Sequence, residues 1–174
     1  MIFKIFPHKI VFCRTLFGMI IFSLCVFSTN GQTRTNNIGD VTGLPLPRFV
    51  SVKSNKVNVR RGPNYNYQID WVYTRVGIPL KVTAEYENWR RVEDFQGEGG
   101  WIHSRLLSGK RFVMFITDKT ILKRKPNKKS PPVALVNKGV IGRLVSTVGT
   151  WSEIFVDGHS GWVPSEAVWG SLED

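Results

Sequence analysis

The sequence predicts an all-β protein made of two copies of one small module, and three observations predict it. First, apolar residues alternate with polar ones over short runs: Val50 and Val52, then Val57 and Val59, are interleaved with Ser51, Lys53, Asn58 and Arg60. That is the period of a half-buried strand. Second, no stretch sustains the apolar spacing of an amphipathic helix over three turns. Third, the order Trp, apolar residue, Gly turn, Gly-Trp-apolar occurs in Glu87–Leu107 and returns in Thr150–Trp169. A pattern that recurs at module length is the mark of a duplicated unit.

The N-terminal 31 residues carry only basic charges (Lys4, Lys9, Arg14), followed by an apolar run of 12 residues from Leu16 to Phe27. That length suits the apolar region of a signal peptide and is short for a membrane span. Residues 1–31 are therefore expected to be a signal peptide, cleaved after Ser28 or Gly31, with an uncleaved anchor as the alternative. Cys25 follows Phe22-Ser23-Leu24, without the small residue that normally precedes a lipidated cysteine. Both cysteines, Cys13 and Cys25, lie in this leader. The exported chain would then have no disulfide, thiolate metal site or cysteine nucleophile, and its stability would rest on two small packed cores.

Three of the formal +11 charges fall in the leader with no acid, leaving +8 for the remainder. A basic exported protein attracts anionic partners, such as carboxylates of cell-wall peptides, lipid phosphates or acidic proteins. Nucleic acid suits the charge but not the export signal, so none is expected as a partner.

Residues 32–48 are polar, contain Gly and Pro and lack periodicity, which predicts a flexible linker. Strands begin at Phe49, and Gly62-Pro63 opens a long loop, Asn64–Gly77, holding Tyr65, Tyr67, Trp71 and Tyr73. Pro79–Tyr86 reads as a third strand. Trp89–Val92 and Trp101–Ile102 form a hairpin about the link Gln96–Gly100, Leu106-Leu107 a short turn, and Phe112–Ile116 a closing strand. The second copy is read from Thr120–Asn127, which matches Val57–Asn64 including its Pro and Asn. Val133–Val136 and Val140–Val148 supply its middle strands. The expected modules are 49–110 and 111–172.

At Val57–Pro63, Trp89–Asp94 and Gly99–Leu107 the chain resembles the bacterial SH3-like domain family, and in particular small exported proteins with two such domains in tandem. The resemblance extends from about residue 49 to 170 and implies two five-stranded, partly open SH3-like barrels with a long loop between their first two strands. Pro164-Ser165 after Gly161-Trp162-Val163 is similar to the Gly-x-x-Pro-Ser-x-Tyr segment of eukaryotic SH3 domains. The first copy, however, has His103 and Leu106 where that segment has Pro and Tyr, and the second keeps Pro164 but has Ala167. Neither copy retains the whole groove that grips proline-rich helices. Relatives of the second module often carry a cysteine pair around the Trp151 strand; Thr147 and Ser152 stand at the corresponding places.

No catalytic or metal-binding motif is present: His103 and His159 fall in different copies, without His-x-x-x-His or Cys-x-x-Cys spacing. No catalytic residue, metal or cofactor is expected. His159, in the turn Asp157–Ser160, reads as a solvated turn residue. In Trp89-Arg90-Arg91-Val92, strict alternation sets Trp89 opposite Val92, so Trp89 and Trp151 are surface or rim candidates and Trp101 and Trp162 are expected in the core.

The candidate ligand-binding residues are Arg60, Arg61, Asn64, Tyr65, Tyr67, Trp71, Trp89 and His103, an aromatic and basic set gathered round the first long loop. The second copy offers charge instead: six of the eleven residues Lys119–Lys129 are basic, giving an electrostatic patch of Lys123, Arg124, Lys125, Lys128 and Lys129. The expected function is that of a secreted or periplasmic non-catalytic binding module of the bacterial envelope, with a cell-wall peptide or an envelope protein as partner. The alternatives are a structural or assembly protein, or an accessory factor of a cell-wall hydrolase.

Overall fold

The computed structural model describes residues 37–171, so the leader and its cleavage sites lie outside the described residues. Short alternating runs become two seven-stranded antiparallel sheets. The first is built from β3 (Arg48–Val52), β4 (Val57–Arg60), β5 (Ile69–Tyr73), β6 (Pro79–Tyr86), β7 (Trp89–Glu93), β8 (Gly99–His103) and β9 (Leu107–Ser108). Its order is β5-β4-β8-β7-β6-β3-β9. The second contains β10 (Phe112–Phe115), β11 (Thr120–Lys123), β12 (Pro132–Val136), β13 (Ile141–Val148), β14 (Trp151–Val156), β15 (His159–Pro164) and β16 (Val168–Trp169). Its order, β12-β11-β15-β14-β13-β10-β16, is the first sheet's order over again. The end strands of each sheet do not pair with one another, so both barrels are partly open.

The duplication extends to irregularities. The register of β6 on β7 shifts between Val82 and Ala84, and that of β13 on β14 between Leu144 and Ser146. The register of β4 on β5 shifts at Val59/Arg60, and that of β11 on β12 at Leu122/Lys123. Such bulges sharpen strand twist and let a small sheet curl over its own core. The repeated Gly-Trp has a packing cause. A Cβ on Gly100 would lie 2.7 Å from the Arg60 carbonyl oxygen, and one on Gly161 2.8 Å from Leu122 Cβ. Only glycine lets β4 and β11 cross β8 and β15 so closely. Thr147 and Ser152 face each other across β13 and β14.

Each barrel has its own core. Val52, Val57, Val59, Leu80, Val82, Val92 and Ile102 fill the first; Val113, Phe115, Leu122, Val136, Ile154, Val156, Val163 and Val168 fill the second. At the seam between them, Phe49 packs edge-on against Trp169 with ring centroids 5.1 Å apart. The Arg111 guanidinium sits 5.7 Å from the Phe49 ring and Lys81 Nζ 5.5 Å from the Trp169 ring. Arg111 also donates to the Gly170 carbonyl at 2.8 Å.

Three parts of the fold differ from the sequence reading. The stretch Asn64–Gly77 is not all loop, because β5 pairs with β4 within it. Phe112–Phe115 opens the second sheet rather than closing the first; β9 ends the first. Within 32–48, where no periodicity predicted structure, β1 (Asn37–Ile38) and β2 (Pro45–Leu46) pair as a small hairpin. Its tip is held by Glu85, whose carboxylate accepts the backbone N–H of Val41 and Thr42 at 3.1 and 3.0 Å and the Thr42 hydroxyl at 2.7 Å.

Candidate functional site

Four of the sequence-predicted residues meet at one rim of the first barrel. Trp89 begins β7 and His103 ends β8; they are register partners, with rings 5.4 Å apart. Tyr65, from the turn after β4, packs at 5.0 Å edge-on against Trp89 and at 5.8 Å nearly parallel to His103. Arg60 holds that turn in place, donating from one guanidinium nitrogen to the Tyr65 and Tyr67 carbonyls at 2.8 and 2.6 Å. Its guanidinium carbon lies 5.7 Å from the Tyr65 ring centre, a cation–π contact. The arrangement can stack a planar or apolar group on Tyr65, which is 53% exposed.

Strand parity places Trp89 away from the Val92 core, as the alternation required, yet it is only 6% exposed because Tyr65 and His103 close over it. His103 Nδ1 accepts the Arg105 N–H at 3.3 Å, which needs an unprotonated nitrogen there. Burial, and then the charges of Arg105 and Arg90, push the His103 pKa below the ordinary histidine value. It is therefore a neutral ring, suited to stacking.

The other candidates lie elsewhere or do other things. The Asn64 side chain accepts the Asn66 N–H at 3.0 Å and so shapes the turn. Arg61 pairs with Asp70 at 2.7 Å. Tyr67 lies over Gly62, where a Cβ would come within 2.6 Å of its ring. Trp71 packs against the first core. The expectation for Trp101 and Trp162 is corrected: both are half-buried, on the face opposite Ile102 and Val163. Those two smaller residues fill the space that the tryptophans were expected to occupy.

The second barrel repeats the rim with different side chains. Three hydrogen bonds of the turn recur. Asn66 N–H to Asn64 Oδ1, Tyr67 N–H to the Asn64 carbonyl and Arg61 N–H to the Gln68 carbonyl recur as Lys129 to Asn127, Ser130 to Asn127 and Arg124 to Pro131. Lys128 thus stands where Tyr65 stands, and Trp151 and Pro164, also register partners, stand for Trp89 and His103. With no ring to lie over Trp151, the rim opens into a cavity of about 370 Å³ lined by Lys128, Thr150, Trp151, Pro164, Ser165 and Glu166. Arg124, Lys125, Lys128 and Lys129 are exposed on this turn and Lys123 is half-buried.

An ion network went unforeseen. Glu85, its side chain 1% exposed, meets Arg48 at 2.6 Å and Arg90 at 3.4 Å. Burial alone would raise its pKa. Hydrogen bonds from Thr42 and Arg48 and the charge of Arg90 outweigh that and hold it at about 2. Nothing in the local sequence signals this, because Glu85 sits on a strand otherwise read as half-solvated. Among the described residues no group of three or more His, Cys, Asp or Glu side chains could hold a metal. His159 turns its Nδ1 to the Asp157 carbonyl at 2.9 Å within its own hairpin.

A family model described as the bacterial SH3 domain matches twice, at residues 53–109 and 118–170. No curated protein matches the chain. Among solved structures, NlpC2 from Trichomonas vaginalis is similar over 71% of this chain and 48% of its own, with 12% identity and a TM-score of 0.34. NlpC1 from the same organism is similar over 75% and 48%, with 12% identity and a TM-score of 0.33. The chain spans about half the length of either protein.

Proposed function

Because the chain belongs to the bacterial SH3 domain family, we propose that it is a non-catalytic binding module of the cell envelope, recognising a cell-wall peptide or an envelope protein. The observation that carries this reading is the rim position repeated in both barrels. A tryptophan lies beside a cation-bearing turn in each, covered by Tyr65 in the first barrel and open beside Lys128 in the second. An aromatic floor next to lysine or arginine suits a ligand with a carboxylate and an apolar or planar body. The basic turn Arg124–Lys129 draws anionic surfaces toward that opening. Export, read from the leader, would bring the protein to the wall. The reading is tested by pelleting the protein with purified peptidoglycan at low salt; a pellet without protein would contradict the cell-wall version.

A second reading, assembly with a protein partner, is favoured by one feature of the second sheet. Leu135, on the end strand β12, is 62% exposed, and its register partner Ile121 is 44% exposed. An apolar pair beside an unpaired strand edge invites another chain. Size-exclusion with light scattering decides: a stable oligomer that dissociates in Leu135→Lys supports assembly, and a monomer at all concentrations speaks against it.

A further inference from the structure

A second cleft, distinct from either rim, lies where the N-terminal hairpin, the first barrel and the connector to the second barrel come together. It encloses about 490 Å³, within the range of small-ligand sites. Its charged lining is Arg48, Arg90 and Arg111, and among the described residues no aspartate or glutamate lines it. Glu85, its side chain 1% exposed, pairs with Arg48 and Arg90 behind this lining. The rest of the lining combines apolar Leu44, Pro45, Phe49 and Leu107 with the hydroxyl residues Thr42, Ser104 and Ser108.

The donors are not all occupied by the fold. A guanidinium carries five N–H bonds. Arg48 donates through Nη2 to Glu85 and through Nη1 to the Pro45 carbonyl. Arg90 uses Nη1 for the Glu87 and Trp89 carbonyls and turns Nε to Glu85. Among the described residues, Arg48 Nε and Arg90 Nη2 have no acceptor. Glu85 thus fixes both arginines in position while leaving donors over, which is how a preorganised carboxylate site is built. Apolar walls lower the local dielectric and strengthen attraction to an entering anion. One wall of the cleft is the N-terminal hairpin, which precedes the first barrel in the chain.

We propose that this cleft binds the free carboxylate of a short peptide with small apolar side chains, with Arg48 and Arg90 holding the carboxylate and Leu44, Phe49 and Leu107 its body. The site is independent of the two rims and does not rest on their function.

The test is a 15N NMR titration of the full-length protein with N-acetyl-Ala-Ala and, separately, with its C-terminal amide. The expected result is saturable shifts at the amides of Leu44, Ser104, Leu107 and Gly109 and at the Nε–H of Arg48 and Arg90. The amide should bind roughly tenfold more weakly, having lost the charge-assisted bonds. A clean variant is available at Gly109, which lines the cleft and where an added Cβ meets nothing within 4 Å. Gly109→Phe should abolish the shifts while leaving the rest of the spectrum in place, and Arg48→Gln should weaken binding roughly tenfold. Equal binding of acid and amide, unchanged binding in folded Gly109→Phe, no saturable shift at millimolar peptide, or shifts confined to Tyr65, Trp89 and Trp151 would each overturn the proposal. The last of these would leave the rim reading intact.

Discussion

Tyr65 and Lys128 stand at the same step of the same turn, and together with the neighbouring His103 and Pro164 they set whether the tryptophan beneath is covered. Tyr65 lies 5.0 Å from Trp89 and closes the first rim; Lys128 borders the open cavity over Trp151 in the second. The turn backbone and its Asn64 and Asn127 caps repeat between the copies, so the rims differ through the side chains they carry, which close the first and leave the second open.

Exchanging these residues should exchange the rims. Lys128→Tyr is expected to cover Trp151 and shift its fluorescence to shorter wavelength. Tyr65→Ala should expose Trp89, shift it to longer wavelength and destabilise the first barrel by about 1 kcal/mol through the lost aromatic pair. Emission spectra and urea melts check both.

Glu85 fixes the N-terminal hairpin by charge, so the hairpin should respond to acid. The carboxylate pKa falls from 4.5 to about 2 on folding. A depressed pKa means that the unfolded chain binds the proton more readily. The stabilisation is therefore present above about pH 4.5 and is lost as the pH falls toward 2. Glu85→Gln should remove that part of the pH dependence and leave Arg48 and Arg90 uncompensated. The expected cost is about 1–3 kcal/mol, with faster amide exchange at Val41 and Thr42. Denaturant melts across pH and hydrogen exchange measure the two effects.

His103 also titrates below its ordinary value, held neutral by burial and by Arg105 and Arg90. Its contribution is complete above the unfolded pKa of about 6.5 and declines as the pH falls through the folded value. Protonation should break the Nδ1 acceptor contact with the Arg105 N–H and loosen the stack on Tyr65. A 1H–15N titration of the ring should give a pKa below the ordinary histidine value of about 6.5.

The glycines at the strand crossings should be intolerant. Gly100→Ala and Gly161→Ala place a methyl 2.7 and 2.8 Å from neighbouring atoms and should cost about 1–3 kcal/mol each. Melting curves of the two variants, compared with Gly97→Ala as a strained but open turn, measure it.

What the sequence made legible was what repeats locally. Alternating valines, Gly-Trp pairs and the Pro-Asn turns each reflect a constraint between neighbouring strands, and they disclosed two barrels. Strand β5 escaped notice because Ile69 and Val72 face solvent while Trp71 and Tyr73 turn inward, so apolarity does not alternate. The N-terminal hairpin escaped because its anchor, Glu85, lies more than forty residues away in the chain. At the site, Tyr65, Trp89, His103 and Arg60 were legible as an aromatic and basic set round one loop. That Trp89 is covered was not, because the covering ring comes from another strand pair. The arginine cleft was invisible for the same reason: its walls come from three stretches of chain, Thr42–Val50, Arg90 and Ser104–Arg111.

The measurement that tests the binding claim most directly is sedimentation of the protein with purified peptidoglycan across a salt series. Wild type would be compared with Trp151→Ala and with Tyr65→Ala/Tyr67→Ala, each checked for folding. Binding that persists at moderate salt and falls about fivefold or more in the folded variants, the loss of a stacked contact, is the expected result. Binding that fades with salt equally in wild type and variants would mean charge attraction alone and would contradict recognition at the rims.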